Sequence, residues 1–94
     1  MTISTTDKCQ KTEGYSVVEV PDGLAVNDPT GDAIHFLNPV AGAVFLLCDG
    51  KLDATGIARI LAEEFALAAP PLSDVLGCLN ELAANGLIGK AGMS

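Results

Sequence analysis

Residues 31–50, GDAIHFLNPVAGAVFLLCDG, decide how the rest of the chain is arranged. The stretch is typical of a short strand from Asp32 to Leu37 that runs directly into a helix from Val40 to Cys48. Asn38 is a favoured N-cap, and Pro39 suits the first helical turn, where no amide hydrogen is needed. The Asp-Gly pair that follows is expected to end the helix. Because this helix has almost no polar residue, we expect the other elements to surround it.

Two apolar runs precede this stretch and are typical of strands, Ser16 to Val20 and Leu24 to Asn27. The sequence Pro21-Asp22-Gly23 separates them, and Asp28-Pro29-Thr30-Gly31 separates the second run from the third predicted strand; both have the composition of tight turns. Three strands joined by tight turns form an antiparallel meander in chain order. The third predicted strand, Asp32 to Leu37, is then an edge strand.

Two amphipathic helices are predicted after the central helix. The first begins at the N-cap Asp53 and continues to about Phe65, and the second runs from Pro70-Pro71 to about Asn85, with apolar residues at helical spacing in both. The sequence therefore predicts an α+β fold, an N-terminal three-stranded antiparallel β-meander followed by three helices, with the outline of a winged helix-turn-helix.

The ends of the chain lack this periodicity. Residues 1–13 are polar and rich in threonine, so we expect a disordered N-terminal tail. Residues 90–94 are expected to form a frayed C-terminal tail. One domain, residues 14–89, lies between them, since 94 residues are too few for two cores.

The charge of the chain argues against a nucleic-acid partner. The formal net charge is -7. Residues 14–89 contain two basic side chains and ten carboxylates, which gives 2 - 10 = -8. Binding to a phosphate backbone needs several Lys or Arg on one face. We also expect no membrane partner, since no apolar run reaches the roughly 18 residues of a span and no signal peptide is recognisable. A cytoplasmic protein is predicted.

No set of residues has the pattern of a catalytic or metal site. His35 is the only histidine, and no serine, cysteine or carboxylate stands at a recognisable catalytic spacing from it. The three cysteines, Cys9, Cys48 and Cys78, include no close pair of the kind that binds metals. Motifs for nucleotides and for zinc are also missing. We therefore predict that the protein is not an enzyme and needs no metal or cofactor.

An edge strand beside a helix is a common arrangement for binding an extended peptide. The strand offers unpaired backbone groups, and the groove beside it supplies side-chain selectivity. Alternate residues of such a strand point their amides inward and outward, so the outward set is either Ala33, His35 and Leu37 or Ile34 and Phe36. Alternation alone leaves both sets open.

The run from Val18 to Ile88 resembles the PqqD-like family of peptide chaperones, also called RiPP recognition elements. The resemblance rests on the strand-to-helix junction HFLN, the helix end CDG, the helix from Ile57 to Phe65, and the finish formed by Leu79, Leu82 and the sequence GLI. It covers about four-fifths of the chain. None of these motifs is catalytic, and none specifies a substrate.

The resemblance implies that the protein binds the leader segment of a ribosomally synthesised precursor peptide and presents it to a modifying enzyme, often a radical S-adenosylmethionine enzyme. The leader would add a strand to the third predicted strand and lie between it and the third helix. The residues implied are Ala33, Ile34, His35, Phe36, Leu37, Asp74, Val75, Cys78, Leu79 and Leu82. Periodicity leaves open which helix residues face the groove and whether Ile34 and Phe36 belong to the core.

Two other functions compete with this interpretation. A winged-helix nucleic-acid-binding or regulatory domain has the same outline but needs a different charge. An acidic helical carrier or scaffold needs an Asp-Ser-Leu-like attachment site, and Ser73-Asp74 has the pair in the wrong order. For the favoured function we expect a monomer or a weak homodimer.

Overall fold

The computed structural model describes residues 2–91 of the protein. Within this range the chain forms six strands and three α-helices. In chain order they are β1 (Lys8–Lys11), β2 (Ser16–Val20), β3 (Gly23–Asn27), β4 (Ile34–Leu37), α1 (Pro39–Leu47), β5 (Asp49–Asp53), α2 (Ala54–Glu64), α3 (Leu72–Ala84) and β6 (Ile88–Lys90). The predicted α+β class, with an antiparallel meander before three helices, is confirmed.

The meander sheet consists of β2, β3 and β4 in that order, and both pairings are antiparallel. Its turns use the predicted chemistry, since the Asp28 carboxylate accepts a hydrogen bond from the Thr30 amide over 2.8 Å. Gly23 begins β3 with a φ of +144°, and a Cβ at that position would lie 1.8 Å from the Leu37 carbonyl oxygen. Glycine is therefore required where β3 meets the end of β4. The third predicted strand forms the edge as expected, but it begins at Ile34 and not at Asp32.

The terminal sheet, which the sequence did not predict, consists of β5, β1 and β6 in that order. Its central strand lies inside the predicted disordered tail of residues 1–13, and that prediction is wrong for the residues that pair. The four residues of β1 are polar apart from Cys9, so they show no alternation that could have indicated a strand. Cys9 is nevertheless fully buried.

Ile3 fixes the segment before β1 to α3. Its side chain is 2% exposed and belongs to the core. The side-chain amide of Asn80 accepts a hydrogen bond from the Ile3 amide over 2.7 Å and donates one to the Ile3 carbonyl oxygen over 3.2 Å. The N-terminal segment is thus part of the packed domain.

The C-terminal boundary also differs from the prediction. Lys90, the first residue of the predicted frayed tail, pairs with Cys9 in the terminal sheet and lies 3.3 Å from the Asp7 carboxylate. Leu87 and Ile88 return to the core, as the sequence indicated. Residues 92–94 of the predicted tail lie outside the described range.

Helix α1 begins where the sequence predicted. The Asn38 side chain accepts a hydrogen bond from the Ala41 amide over 2.8 Å, and Pro39 occupies the first turn. The helix ends at Leu47 with Cys48 as its C-cap. The expectation that other elements surround this helix is wrong, because Val40 is 47% exposed and Leu46 is 50% exposed. The meander and the other helices cover only one side of α1.

Helices α2 and α3 complete the core. Asp53 caps α2 as predicted, accepting a hydrogen bond from the Gly56 amide over 2.9 Å. Helix α3 ends at Ala84, one residue before the predicted end. The core is formed by residues of all three helices and both sheets. Its largest fully buried members are Phe45, Ile57, Leu61, Leu79, Leu87, Val26, Val44, Val75, Cys9 and Cys48.

Candidate functional site

A groove of about 370 Å³ lies between β4 and α3. One wall is the edge strand and the residues that follow it, and the other wall is the C-terminal half of α3. The residues that line the groove are Ile34, His35, Phe36, Leu37, Asn38, Ala41, Cys78, Glu81, Leu82, Asn85 and Leu87.

The backbone of β4 points every second residue at β3 and the remaining residues away from the sheet. The Asp28 amide donates a hydrogen bond to the Ala33 carbonyl oxygen over 3.0 Å, and the register of β4 continues this pairing without a shift. Because bonded and non-bonded pairs alternate in an antiparallel ladder, Ala33 and every second residue after it bond to β3. The amide and carbonyl groups of Ile34 and Phe36 therefore point away from the sheet.

The side chains of these two outward residues are also available. Phe36 is 74% exposed and Ile34 is 54% exposed. They lie on the face of the sheet opposite His35 and Leu37, which are partly buried toward the helices. The sequence left open whether Ile34 and Phe36 belong to the core. In the structure neither does, and both side chains are exposed.

Of the α3 residues that the family resemblance implied, some line the groove and others do not. Cys78, partly buried, and Leu82, 3% exposed, line the groove opposite β4. Val75 and Leu79 are buried in the core and do not reach this groove, although Val75 lines a second cavity together with Asp74. Ala33 precedes β4 and is not part of the groove lining.

Five lining residues were not named from the sequence. They are Asn38, Ala41, Glu81, Asn85 and Leu87. Glu81 lies on α3 three positions after Cys78, and Asn85, the C-cap of that helix, lies seven positions after it. Helical periodicity from Cys78 could have identified both. Ala41 and Leu87 come from other elements, and no local pattern places them beside β4.

The groove carries little charge, and its one thiol is not activated. Among the described residues, Glu81 is the only carboxylate, lysine or arginine of the lining. Burial raises the pKa of the Cys78 thiol, and the Glu81 carboxylate raises it further. Since a thiolate and not a thiol is the reactive form, Cys78 is a weak nucleophile at neutral pH.

The described residues contain no cluster of three or more His, Cys, Asp and Glu side chains that could hold a metal ion. Within the same residues no helix is long and apolar enough to cross a membrane. What the groove offers is a row of free backbone donors and acceptors on β4 and, on the side of α3, the exposed polar side chains Glu81 and Asn85 beside the partly buried Cys78. That combination is suited to binding an extended chain.

Comparisons with known proteins agree with this geometry. The family model described as coenzyme PQQ synthesis protein D (PqqD) matches residues 23–88, which is more than half of the chain. A solved structure described as TbiB1 in complex with the TbiA(beta) leader peptide is similar in fold, with a TM-score of 0.70 at 15% sequence identity. The similarity covers 90% of this chain and 98% of that chain. A search of curated proteins gave no match. The matched residues include β3, β4, all three helices and every residue that lines the groove, and the chain belongs to the PqqD family.

Proposed function

We propose that this protein is a peptide chaperone that binds the leader segment of a ribosomally synthesised precursor peptide and presents it to a modifying enzyme. The leader adds to β4 as a fourth strand of the meander sheet and lies against α3. The observation that carries this proposal is the unpaired outward edge of β4, which faces a groove of about 370 Å³. Such a protein works in the cytoplasm, where ribosomes release the precursor.

Strand addition would use two features of the groove, the outward backbone groups of β4 and the apolar side chains of the lining. Ile34 and Phe36 each present one amide and one carbonyl group outward, which is enough for two donors and two acceptors along the leader. Each hydrogen bond contributes about 0.5 to 1.5 kcal/mol in net terms, so backbone pairing alone gives modest affinity. The partly buried side chains Leu37 and Cys78 in the lining leave apolar surface against which leader side chains can pack. Selectivity then comes from the side chains, and affinity comes from both the backbone hydrogen bonds and the burial of side chains.

Among the edges of the two sheets, β4 is the one suited to this use. The opposite edge of the meander sheet, β2, carries Glu19 in its interior, and a charge there disfavours pairing with another strand. In the terminal sheet, β6 is three residues long and ends in Lys90, and β5 carries Lys51 between two aspartates. Only β4, with the sequence IHFL, combines an edge without a carboxylate or lysine with a groove beside it.

The chemistry of the groove supports a binding role without catalysis. Among the described residues, the one thiol of its lining is Cys78, whose pKa burial raises, so the groove lacks the activated nucleophile that acyl or phosphoryl transfer needs. The precursor is modified by the enzyme to which it is presented, and a radical S-adenosylmethionine enzyme is the partner type we propose. The excess of carboxylates argues against nucleic acid as an alternative ligand.

The proposal is tested with a fluorescein-labelled synthetic leader, taken from a short precursor gene that is sought among the neighbours of the gene of this protein. Two substitutions at one position separate the backbone from the side chain. Phe36→Pro removes an outward amide hydrogen, whereas Phe36→Ala keeps it and removes only the ring. We expect Phe36→Pro to weaken leader binding by about 1 to 3 kcal/mol more than Phe36→Ala does, because a leader carbonyl loses its donor.

The fold is the control in this experiment. Because the Phe36 amide points away from β3, both variants should keep the circular dichroism spectrum of the unsubstituted protein. Equal affinities for the two variants, measured by fluorescence anisotropy in folded protein, would show that the leader does not pair with β4. No binding to the unsubstituted protein would reject the function itself.

A further inference from the structure

A second cavity of about 290 Å³ lies between the three helices. It is formed by the first half of α1, the end of α2, the loop that follows α2, and the start of α3. The residues that line it are Val40, Val44, Leu61, Phe65, Leu67, Pro71, Asp74 and Val75. Seven of these eight are apolar, and Asp74 is the only charged member.

The mouth of this helix cavity is surrounded by apolar side chains that face solvent. Val40 is 47% exposed, Phe65 is 43% exposed and Leu67 is 44% exposed. Leu67 is held there by the end of α2, where its amide donates to the Ala62 carbonyl oxygen over 2.8 Å and Ala66 takes a φ of +53°. Exposed apolar groups around a concave surface indicate a binding surface more strongly than single exposed residues do.

The helix cavity and the groove are lined by neighbouring residues of α1 and of α3. On α1, Ala41 lines the groove while its neighbour Val40 lines the cavity. On α3, Cys78 lines the groove and Asp74 lines the cavity, four residues earlier. Residues four apart lie slightly more than one helical turn apart, about 6 Å along the axis. A chain that leaves the end of β4 therefore reaches the cavity within a few residues.

We infer that the helix cavity binds a large apolar side chain of the same leader peptide, next to a leader Lys or Arg that pairs with Asp74. This inference rests on the proposed function. It adds a second contact between the leader and the protein, and it specifies which types of leader residue make that contact. The segment that pairs with β4 is flanked, on the side of Asn38, by residues that leave the strand and enter the cavity. The leader thus has two parts, an extended part on β4 and an apolar anchor between the helices.

Charge selects this ligand over the other candidates for the cavity. Within residues 14–89, ten carboxylates face two basic residues, and no basic residue lines the cavity or the groove apart from the titratable His35. A second copy of this chain would bring a further charge of -7, which opposes association through this surface. An anionic lipid surface is repelled for the same reason. A basic peptide segment is attracted.

Two pairs of substitutions test the inference with the labelled leader described above. Leu67→Ala removes an apolar contact at the cavity mouth, and Leu46→Ala removes an equally exposed leucine of α1 that lines neither site. We expect Leu67→Ala to weaken binding about fivefold and Leu46→Ala to leave it unchanged, since only the first loses buried area. Asp74→Asn should weaken binding about two- to fivefold at low salt. Glu19→Gln, with the same change of net charge, should not.

Shortening the leader gives the decisive measurement. Of two truncated leaders, each missing the residues on one side of the segment that pairs with β4, one should bind about fivefold more weakly. That truncated leader should no longer respond to Leu67→Ala, because its anchor is gone, whereas the other should respond fully. Equal responses of both truncated leaders, or equal effects of Leu67→Ala and Leu46→Ala, would overturn the inference. Those outcomes leave the proposed function intact if Phe36→Pro still weakens binding.

Discussion

The two sheets of this protein differ in how far apart their strands lie in the sequence and in how exposed their strands are. The meander sheet uses three strands that follow one another within residues 16–37. The terminal sheet brings together residues 8–11, 49–53 and 88–90, which are far apart in the chain. Its central strand buries Cys9 completely, whereas the outer strand of the meander exposes Ile34 and Phe36.

This difference bears on stability and on the binding that we propose for β4. The terminal sheet ties both ends of the domain to the segment after α1, so its pairing holds distant parts of the chain together. The meander sheet forms from local turns and can afford an edge strand whose outward groups are unpaired. Apolar edge strands promote unwanted pairing, and proteins normally block them with charges or by covering them. An edge such as β4, which has no carboxylate, lysine or arginine, is consistent with a strand that a partner covers.

The largest effect is expected from a substitution that removes a hydrogen bond between β4 and β3. His35→Pro removes the amide that bonds to β3 and leaves the carbonyl oxygen of fully buried Val26 unpaired. We expect a loss of at least about 3 kcal/mol in the free energy of unfolding. Phe36→Pro, one residue later with an outward amide, should lose less than about 1 kcal/mol. Urea unfolding of both variants measures the difference, and equal losses would contradict the assignment of inward and outward residues.

The next effect compares an isoleucine in each region. Ile3 is 2% exposed beside the terminal sheet, and Ile34 is 54% exposed on the meander edge. Ile3→Ala should lower the free energy of unfolding by about 2 to 3 kcal/mol, and Ile34→Ala by less than about 0.5 kcal/mol. Denaturant titration provides the test. A loss of less than about 0.5 kcal/mol for Ile3→Ala would contradict the packing of the N-terminal segment against the core.

A third prediction concerns the thiol at the junction of α1 and the terminal sheet. Burial raises the pKa of Cys48 from 9.0 to about 12. Below pH 9 both the folded and the unfolded protein keep this proton, and above pH 9 the unfolded chain releases it first. Stability should therefore fall as the pH rises from about 9 toward 12, by roughly 1 to 1.5 kcal/mol at pH 10. Thermal unfolding of Cys48→Ala between pH 8 and 10 should show a flatter decline, and an identical decline would reject this cause.

The smallest expected effect lies beside the helix cavity. Ala66 takes a φ of +53°, a conformation that glycine adopts without strain and alanine does not. Ala66→Gly should raise the free energy of unfolding by about 0.5 to 1 kcal/mol while leaving the end of α2 in place. Gly77→Ala, inside α3 with open space around the added Cβ, should give a gain of similar size through helix propensity alone. A destabilised Ala66→Gly variant would show that Ala66 is held by contacts and not strained.

The sequence determined the local features of this protein. Asn38 and Asp53 indicate the starts of α1 and α2, because the side chain of each accepts a hydrogen bond from an amide only three residues away. Turn residues at positions 21–23 and 28–31 set the order of the meander, and with it the edge position of β4. The period of α3 indicated its apolar stripe. The resemblance to the PqqD family, which the family model confirms, also came from contiguous residues.

The tertiary structure alone decided three things. It made a strand of polar residues 8–11, because pairing with residues 49–53 and 88–90 outweighs a composition that favours no strand. It separated the α3 residues that reach the groove, Cys78 and Leu82, from Leu79, which is buried in the core. It fixed which backbone groups of β4 point outward, since that depends on the register with β3. The first two depend on which distant residues become neighbours, and local sequence patterns contain no information about a partner that lies far away in the chain. The third depends on the register of the β3–β4 hairpin, which the alternation along one strand does not fix.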